Sequence, residues 1–403
     1  MKIKTVCLLL IMSYAAGYGG SVRSFEGVGT LLGLANGRSM GMAGTALAVP
    51  GAFDLPRINP ASLTSIELSR FSIQYMYEAN HYRTDSGSAN SPYSNFDGFS
   101  FGFPFANSAA IALGLYPYSK VDFRTSFPDD VEASVYDQIV SGSGGLNTLD
   151  LLLAFRIMNR LSVGLGAKYY FGRIEKDWLV DFTDTAYRTT KNTIAAQASG
   201  MGSVIGLQFD MDPLTLGAVF EPQTELDSKK FFNFQSIDDI MNTTTAYYRD
   251  TLNQTMDLPG TFGLGIGYRP GGKTLIGIDW MHSDWKSLKG YSSSIQLQNT
   301  NRFSMGVEYQ PSQNPYASFF NKSHYRAGFA TESYYLKSVG GHTIQQWWIT
   351  LGIGIPVWNQ TSRANIALAY GQRGSLKSNR LSENIFRIIL SLDAGEQWFV
   401  RRR

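Results

Sequence analysis

The chain has 403 residues, with 35 Lys and Arg against 32 Asp and Glu, so its bulk charge favours neither nucleic acid nor an acidic partner. Only 17% of residues are charged, whereas 13% are aromatic and 41 are glycine. That balance is unusual for a soluble enzyme. It is ordinary for a sheet with one face toward lipid and the other lined by small or polar side chains.

The first twenty residues read MKIKTVCLLLIMSYAAGYGG. Lys2 and Lys4 form a basic start, Val6 to Met12 an apolar run, and Ser13 to Ala16 a small-residue stretch suited to cleavage, the order of a secretory signal peptide over 1–16. Its removal takes away Cys7, the chain's one cysteine, and brings the formal charge from +3 to +1. An exported chain without cysteine has no disulfide framework and must rely on hydrogen bonding and packing. No later segment approaches the ~20 apolar residues of a membrane helix.

Residues 17–67 follow, rich in Gly and Ala, with neither strand alternation nor a helical stripe. From residue 68 onward the pattern changes to period two. In 160–172, Leu161, Val163, Leu165, Ala167, Tyr169 and Phe171 fall on one face, with Ser162, Gly164, Gly166, Lys168 and Tyr170 on the other. Phe262, Leu264, Ile266 and Tyr268 alternate in the same way with Gly263, Gly265 and Gly267, and Phe303, Met305, Val307 and Tyr309 with Ser304, Gly306 and Glu308. Apolar out and small or polar in is the dyad of a membrane barrel; a soluble sandwich reverses it.

This template predicts fourteen strands, near 68–79, 95–105, 108–118, 147–158, 160–174, 201–211, 213–222, 258–269, 273–283, 302–310, 324–334, 346–357, 362–373 and 383–393. Tight connections such as 106–107, 159 and 212 alternate with long polar ones, including 119–146, 175–200 and 223–257. The one long exception on the tight side follows strand ten, at PSQNPYASFFNKSH. An even strand count with short periplasmic turns and long outer loops is the asymmetry of bacterial outer-membrane barrels, and it predicts both termini in the periplasm. Within 223–257, Ile237, Ile240, Met241, Tyr247, Tyr248 and Leu252 stand near helical spacing, which suits a packed helical turn or a ligand-receiving groove.

Residues 17–67 enter ahead of the first strand and cannot join the sheet. Irregular backbone is tolerated at membrane depth only where protein or lumen water satisfies it, so the expected place for this segment is the barrel lumen. At Asn59-Pro60-Ala61 the proline fixes φ and holds Asn59 out of the helical region, which makes an elbow compatible with a fixed corner or a hinge. Alternation places Lys168, Glu221, Arg269, Asp279, Glu308, Arg326 and Arg387 on the lumen face. Lys168, Arg269 and Arg326 are therefore candidate partners for a ligand carboxylate, or else partners of the lumen's own acids. Trp280, Trp285, Trp347, Trp348 and Trp358 lie near strand ends, as in an interfacial girdle. His81, His282, His324 and His342 lack metal-ligand spacing, and there is no nucleophile elbow or P-loop. GVGTLLG (27–33) misses the dinucleotide fingerprint. The expectation is a protein that is not an enzyme, with no cofactor and no metal.

The stretch GRSMGMAGTALAV with NPASL (37–63) resembles the N-terminal hatch of the FadL/TodX (OMPP1) transporters. Gly37, Arg38, Asn59, Pro60 and Ala61 carry the match within a run that includes Gly41 and Gly44, and Ser39 stands where Ala is usual. DLPGTFGLGIGYRPGGKTLIGIDWMHSDWKS (257–287), YRAGF (325–329) and ENIFRIILSLDAGEQWF (383–399) are similar to other parts of that family. The resemblance implies an all-β, fourteen-stranded monomeric barrel in the outer membrane over 68–403, plugged by residues 17–67. It also implies passive passage of long-chain fatty acids or other hydrophobic small molecules, by hatch rearrangement or a lateral wall opening. A subset of relatives resembles the PorV/PorQ barrels of type IX protein secretion, whose partners are secretion-system proteins, and the ending WFVRRR (398–403) fits that alternative.

Overall fold

The computed structural model describes residues 20–396 apart from 34, 132–133, 183–187, 239–242, 293–294, 315, 339 and 358–360. The expected signal peptide, Trp358 and the ending 398–403 lie outside the described residues. The wall consists of β1 (Ser69–Thr84), β2 (Ser88–Ala106), β3 (Ala109–Pro117, continued by Ser119–Val131), β4 (Ser134–Met158), β5 (Leu161–Phe182) and β6 (Thr189–Met211). It continues through β7 (Leu214–Glu221, then Thr224–Asp238), β8 (Thr243–Leu258, then Gly260–Tyr268), β9 (Thr274–Asp284), β10 (Thr300–Tyr309) and β11 (His324–Lys337). β12 (Thr343–Val357), β13 (Ser362–Arg373) and β14 (Leu381–Glu396) complete it. All neighbours are antiparallel, and β14 pairs back onto β1 from Leu381 opposite Thr84 to Glu396 opposite Ser69, which closes the ring of fourteen.

The period-two pattern is obeyed side chain by side chain. Leu165, Tyr169, Phe262, Leu264, Ile266, Tyr268, Phe303, Met305 and Tyr309 are exposed to the outside. Their partners Ser162, Lys168, Ser304 and Glu308 are buried within the ring. An outward apolar band on a closed ring satisfies both demands of a bilayer: no unpaired edge and no polar group toward hydrocarbon.

The strands run well past that band. At about 3.3 Å per residue, the 25 residues of β4 span roughly 80 Å, against about 30 Å of hydrocarbon. The stretches 119–146, 175–200 and 223–257, expected as loops, are therefore largely strand. Beyond the membrane the outward face no longer has to be apolar, so the sequence signature lapses while the hydrogen-bond ladder continues. The helical spacing in 223–257 yields no helix among the described residues. It is a hairpin in which Phe234 opposes Tyr248 and Gln235 opposes Tyr247, while Ile240 and Met241 lie outside the described residues.

Candidate functional site

The segment from Gly20 to Ile66 contacts inward-facing residues on strands all around the ring. It begins at the end of the barrel bearing the long hairpins. Gly20 N donates to Ser91 Oγ of β2 (3.1 Å), Ser21 Oγ to Glu383 Oε1 of β14 (2.6 Å), and Thr30–Leu31 pairs with Ser119 and Lys120 of β3. Gly20 therefore sits at the opposite end of the barrel from the start of β1; the residues before it lie outside the described ones. Phe25 packs edge-on against Phe123 and Trp178, with ring centroids 5.6 and 6.0 Å apart. Burial holds the neighbouring Glu26 carboxyl above its usual range, opposed by Lys176 and Arg23.

Midway down, the turn after the short helix Gly37–Met40 is fixed by polar groups of the wall. Asp279 Oδ2 accepts from the backbone N–H of Ala46 (2.6 Å) and Leu47 (2.9 Å), and Ala43 N donates to Thr350 Oγ1 (2.8 Å). At the short-turn end, Arg38 forms a bidentate pair with Glu308, which also receives Arg326 Nε at 2.7 Å. Arg57 lies over the Tyr116 ring at 3.8 Å and pairs with Asp97 at 3.2 Å.

Asn59 makes the corner before the wall. Its Oδ1 accepts from Ala61 N (3.1 Å), which caps the 3₁₀ turn Pro60–Ser65, and its Nδ2 donates to Leu47 O (2.8 Å) and Leu207 O (3.1 Å). The inward glycines face this backbone directly. A Cβ at Gly206 would overlap Asn59 and Pro60, one at Gly217 the Leu47 carbonyl, and one at Gly328 the Met42–Ala43 peptide. In the segment itself, Gly37 lies against Ser391, Gly41 against Gly352 and Gly44 against Arg302.

Two cavities flank the upper part of the segment. One, of about 290 Å³, is lined chiefly by Phe25, Phe123, Val140, Trp178, Leu336 and Ile344. The other, of about 170 Å³, lies deeper, between Leu31, Leu32 and Ile58 of the segment and Tyr118, Tyr170 and Trp285 around it, with Glu221, Arg302, Glu332 and Arg373 also in its lining. An apolar void of about 150 Å³ accommodates a molecule the size of benzene. Beside the second cavity the wall is interrupted. β3 breaks at Tyr118; below it Ala109–Pro117 pairs with β2, but above it, among the described residues, Ser119–Val131 pairs only with β4 and with Thr30–Leu31. Among the described residues, 88–98 of β2 pair with β1 alone. Gly20, Ser24, Thr30 and Leu31 stand in that gap, bonded to Ser91 on one side and to Asp122, Ser119 and Lys120 on the other.

The three candidate carboxylate partners separate. Lys168 is buried and paired with Glu221, Arg326 is buried and paired with Glu308, and Arg269 is exposed in the turn between β8 and β9. Arg387 pairs with Glu78. Two of the tryptophans read as girdle are internal. Trp285 is 1% exposed and stacks at 4.3 Å on Tyr335, whose hydroxyl donates to Gly29 O (2.6 Å). Trp348 faces the lumen beneath Arg387. Trp280 and Trp347 stay outward, against Phe303 and Tyr370. Trp348 sits at an even offset from inward-facing Gln346 and Thr350, so strand phase identifies it as internal; Trp285, just past the end of β9, carries no such signal. Phe25, Tyr118, Trp178, Tyr334 and Tyr335 were not anticipated as lining residues, because they lie in the segment or in strand extensions where alternation is weak.

The architecture is shared with solved outer-membrane barrels. A FadL homologue of Pseudomonas aeruginosa superposes with a TM-score of 0.62 at 14% identity, over 90% of this chain and 98% of the other. The toluene transporter TodX of P. putida gives 0.64 at 14% identity, over 91% and 100%. The toluene transporter TbuX of Ralstonia pickettii gives 0.59 at 15% identity, over 89% and 97%. At these identities the likeness is one of fold, and the fold is the FadL-type barrel. The PorV/PorQ alternative gains no support from these comparisons. No curated protein sequence matches the chain. The BamG family model matches residues 1–403, the whole length, and the chain belongs to the BamG family.

Proposed function

We propose that the protein is a monomeric outer-membrane transporter that passes hydrophobic small molecules, long-chain fatty acids among them, without coupled energy. In this reading residues 17–67 are its hatch. The observation that carries it is the pair of cavities beside the N-terminal segment, the outer one mainly apolar and the deeper one of mixed lining, at the place where the same segment fills the break between β2 and β3. A ligand collected among the extended hairpins of β5–β6 and β7–β8 enters the outer cavity against Phe25 and Trp178. It moves to the second cavity by displacing Leu31 and Leu32. Leaving the gap at Tyr118 then requires that residues 20–31 let go of Ser91, Asp122, Ser119 and Lys120, and that Phe25 and Val28 come away from Val121 and Phe123. The hatch below stays anchored by its charged contacts, so the lumen does not become an open pore. The names of the TodX and TbuX neighbours, toluene transporters, support the choice of an apolar cargo.

Native mass spectrometry of the purified barrel tests this. A co-purifying lipid or hydrocarbon adduct is expected, lost when Phe25 and Leu32 are both replaced by charged residues. A barrel that carries no adduct and takes up no laurate or toluene from solution would overturn the reading.

A further inference from the structure

We infer that the short-turn mouth of the lumen holds an oxyanion-binding site distinct from the two cavities beside the upper part of the segment. A third cavity, of about 200 Å³, lies there between the loop Pro50–Asp54 of the N-terminal segment and the ends of β8, β10, β11, β13 and β14. Four guanidinium groups line it, from Arg38, Arg269, Arg326 and Arg363, against three carboxylates, from Asp54, Glu308 and Asp393.

The carboxylates are already taken. Glu308 is held by Arg38 and Arg326. Asp54 accepts from Asn36 (2.9 Å) and approaches Arg38 at 3.5 Å. Asp393 accepts from Ser72, Ser391 and Asn365. Among the described residues, neither Arg363 nor Arg269 forms an ion pair. Arg363 is only 7% exposed, and its Nε and Nη1 have no hydrogen-bond partner. Its guanidinium lies 3.9 Å over the ring of Phe53, which supplies a weak attraction and no acceptor. A buried cation without an acceptor is costly, and the lining carries one positive charge in excess, so one bound oxyanion satisfies both. The planar fork of arginine pairs in bidentate fashion with carboxylate and phosphate alike. His324, also buried in this lining, has Nδ1 3.6 Å from Glu308 Oε2, and among the described residues neither ring nitrogen makes a hydrogen bond within normal distance. The ligand class is therefore a carboxylate or phosphate group, carried by an amphiphile or free in solution. Because Phe53 rests on Arg363, such an anion would sit against the hatch loop and the wall at once. The site stands whether or not anything crosses the barrel.

Equilibrium dialysis of the full-length protein in a neutral detergent, with radiolabelled inorganic phosphate and with radiolabelled laurate, tests it, dodecanol serving as the uncharged counterpart. Arg363→Gln should weaken binding of at least one anion tenfold or more, and Arg269→Gln severalfold, while dodecanol binding is unchanged. Loss confined to laurate identifies an amphiphile head group, and loss confined to phosphate identifies a free anion. Binding of both anions that is unaltered in Arg363→Gln and Arg269→Gln overturns the proposal. Heat-modifiable migration on gels checks that each variant is folded, and Arg269, being exposed, keeps the test open if Arg363→Gln does not assemble.

Discussion

Arg38 and Glu308 are 270 residues apart in sequence and meet in two parallel hydrogen bonds, Nε to Oε2 and Nη2 to Oε1, both 3.0 Å. Each is at least nine-tenths buried, and Glu308 is shared with Arg326. One carboxylate thus joins the N-terminal segment to the wall and is shared by two arginines. Removing one partner of such a pair leaves uncompensated buried charge, which costs about 3–5 kcal/mol. Glu308→Ala should loosen residues 35–55 without opening the barrel ladder. Hydrogen exchange would show protection lost in that span only, and planar-bilayer recordings should show conductance that the wild type lacks. An exchange pattern identical to wild type would contradict this account.

Asn59→Ala removes three hydrogen bonds at the corner between segment and wall. With the Leu47 and Leu207 carbonyls and the Ala61 N–H left without their partner, the loss should be about 1–3 kcal/mol. The expected result is a lower thermal midpoint for loss of heat-modifiable migration, with Asn59→Asp intermediate because it keeps only the cap to Ala61.

The inward glycines make a steric prediction. Gly217→Ala and Gly328→Ala each place a methyl group where the segment's backbone lies, so both should raise conductance and expose residues 42–48 to proteolysis. Gly87→Ala, in the turn between β1 and β2, has nothing within 4 Å of its added Cβ and serves as the control that should behave as wild type.

Docking of the first described residues should respond to pH through Glu26. Burial raises its carboxyl in the docked state above the ordinary value of about 4.5, so the docked state binds more protons than the released one between those two values. Docking is therefore strongest below the ordinary value and weakens as pH rises through the raised one. A fluorophore on Val22→Cys should gain mobility over that interval, and Glu26→Gln should flatten the profile. Greater mobility on acidification would reverse the sign and sink the assignment.

The strand register was legible because lipid imposes one rule on every strand. Outward positions must be apolar, as Leu165, Ile266 and Met305 are, so period two appears without knowledge of any partner. The same rule explains the failures. Past the bilayer it no longer applies, so 119–146 and 223–257 read as loops although their ladders continue. At strand ends an aromatic residue suits both girdle and lumen, so Trp285 read as girdle.

The lumen was legible by residue type and not by pairing. Alternation put Lys168, Glu221, Glu308 and Arg326 on the inner face, yet which charges neutralise one another depends on the distances between strands and on where the segment lies. Composition and periodicity alone thus determined a closed fourteen-stranded barrel with an irregular N-terminal segment of small residues. Only the tertiary structure decided that this segment runs from the hairpin end to the short-turn end, that it fills the break above Tyr118, and that Arg363 is left without an acceptor. The first kind of information is local, one side chain against one solvent; the second arises only when residues hundreds of positions apart are brought within hydrogen-bond reach.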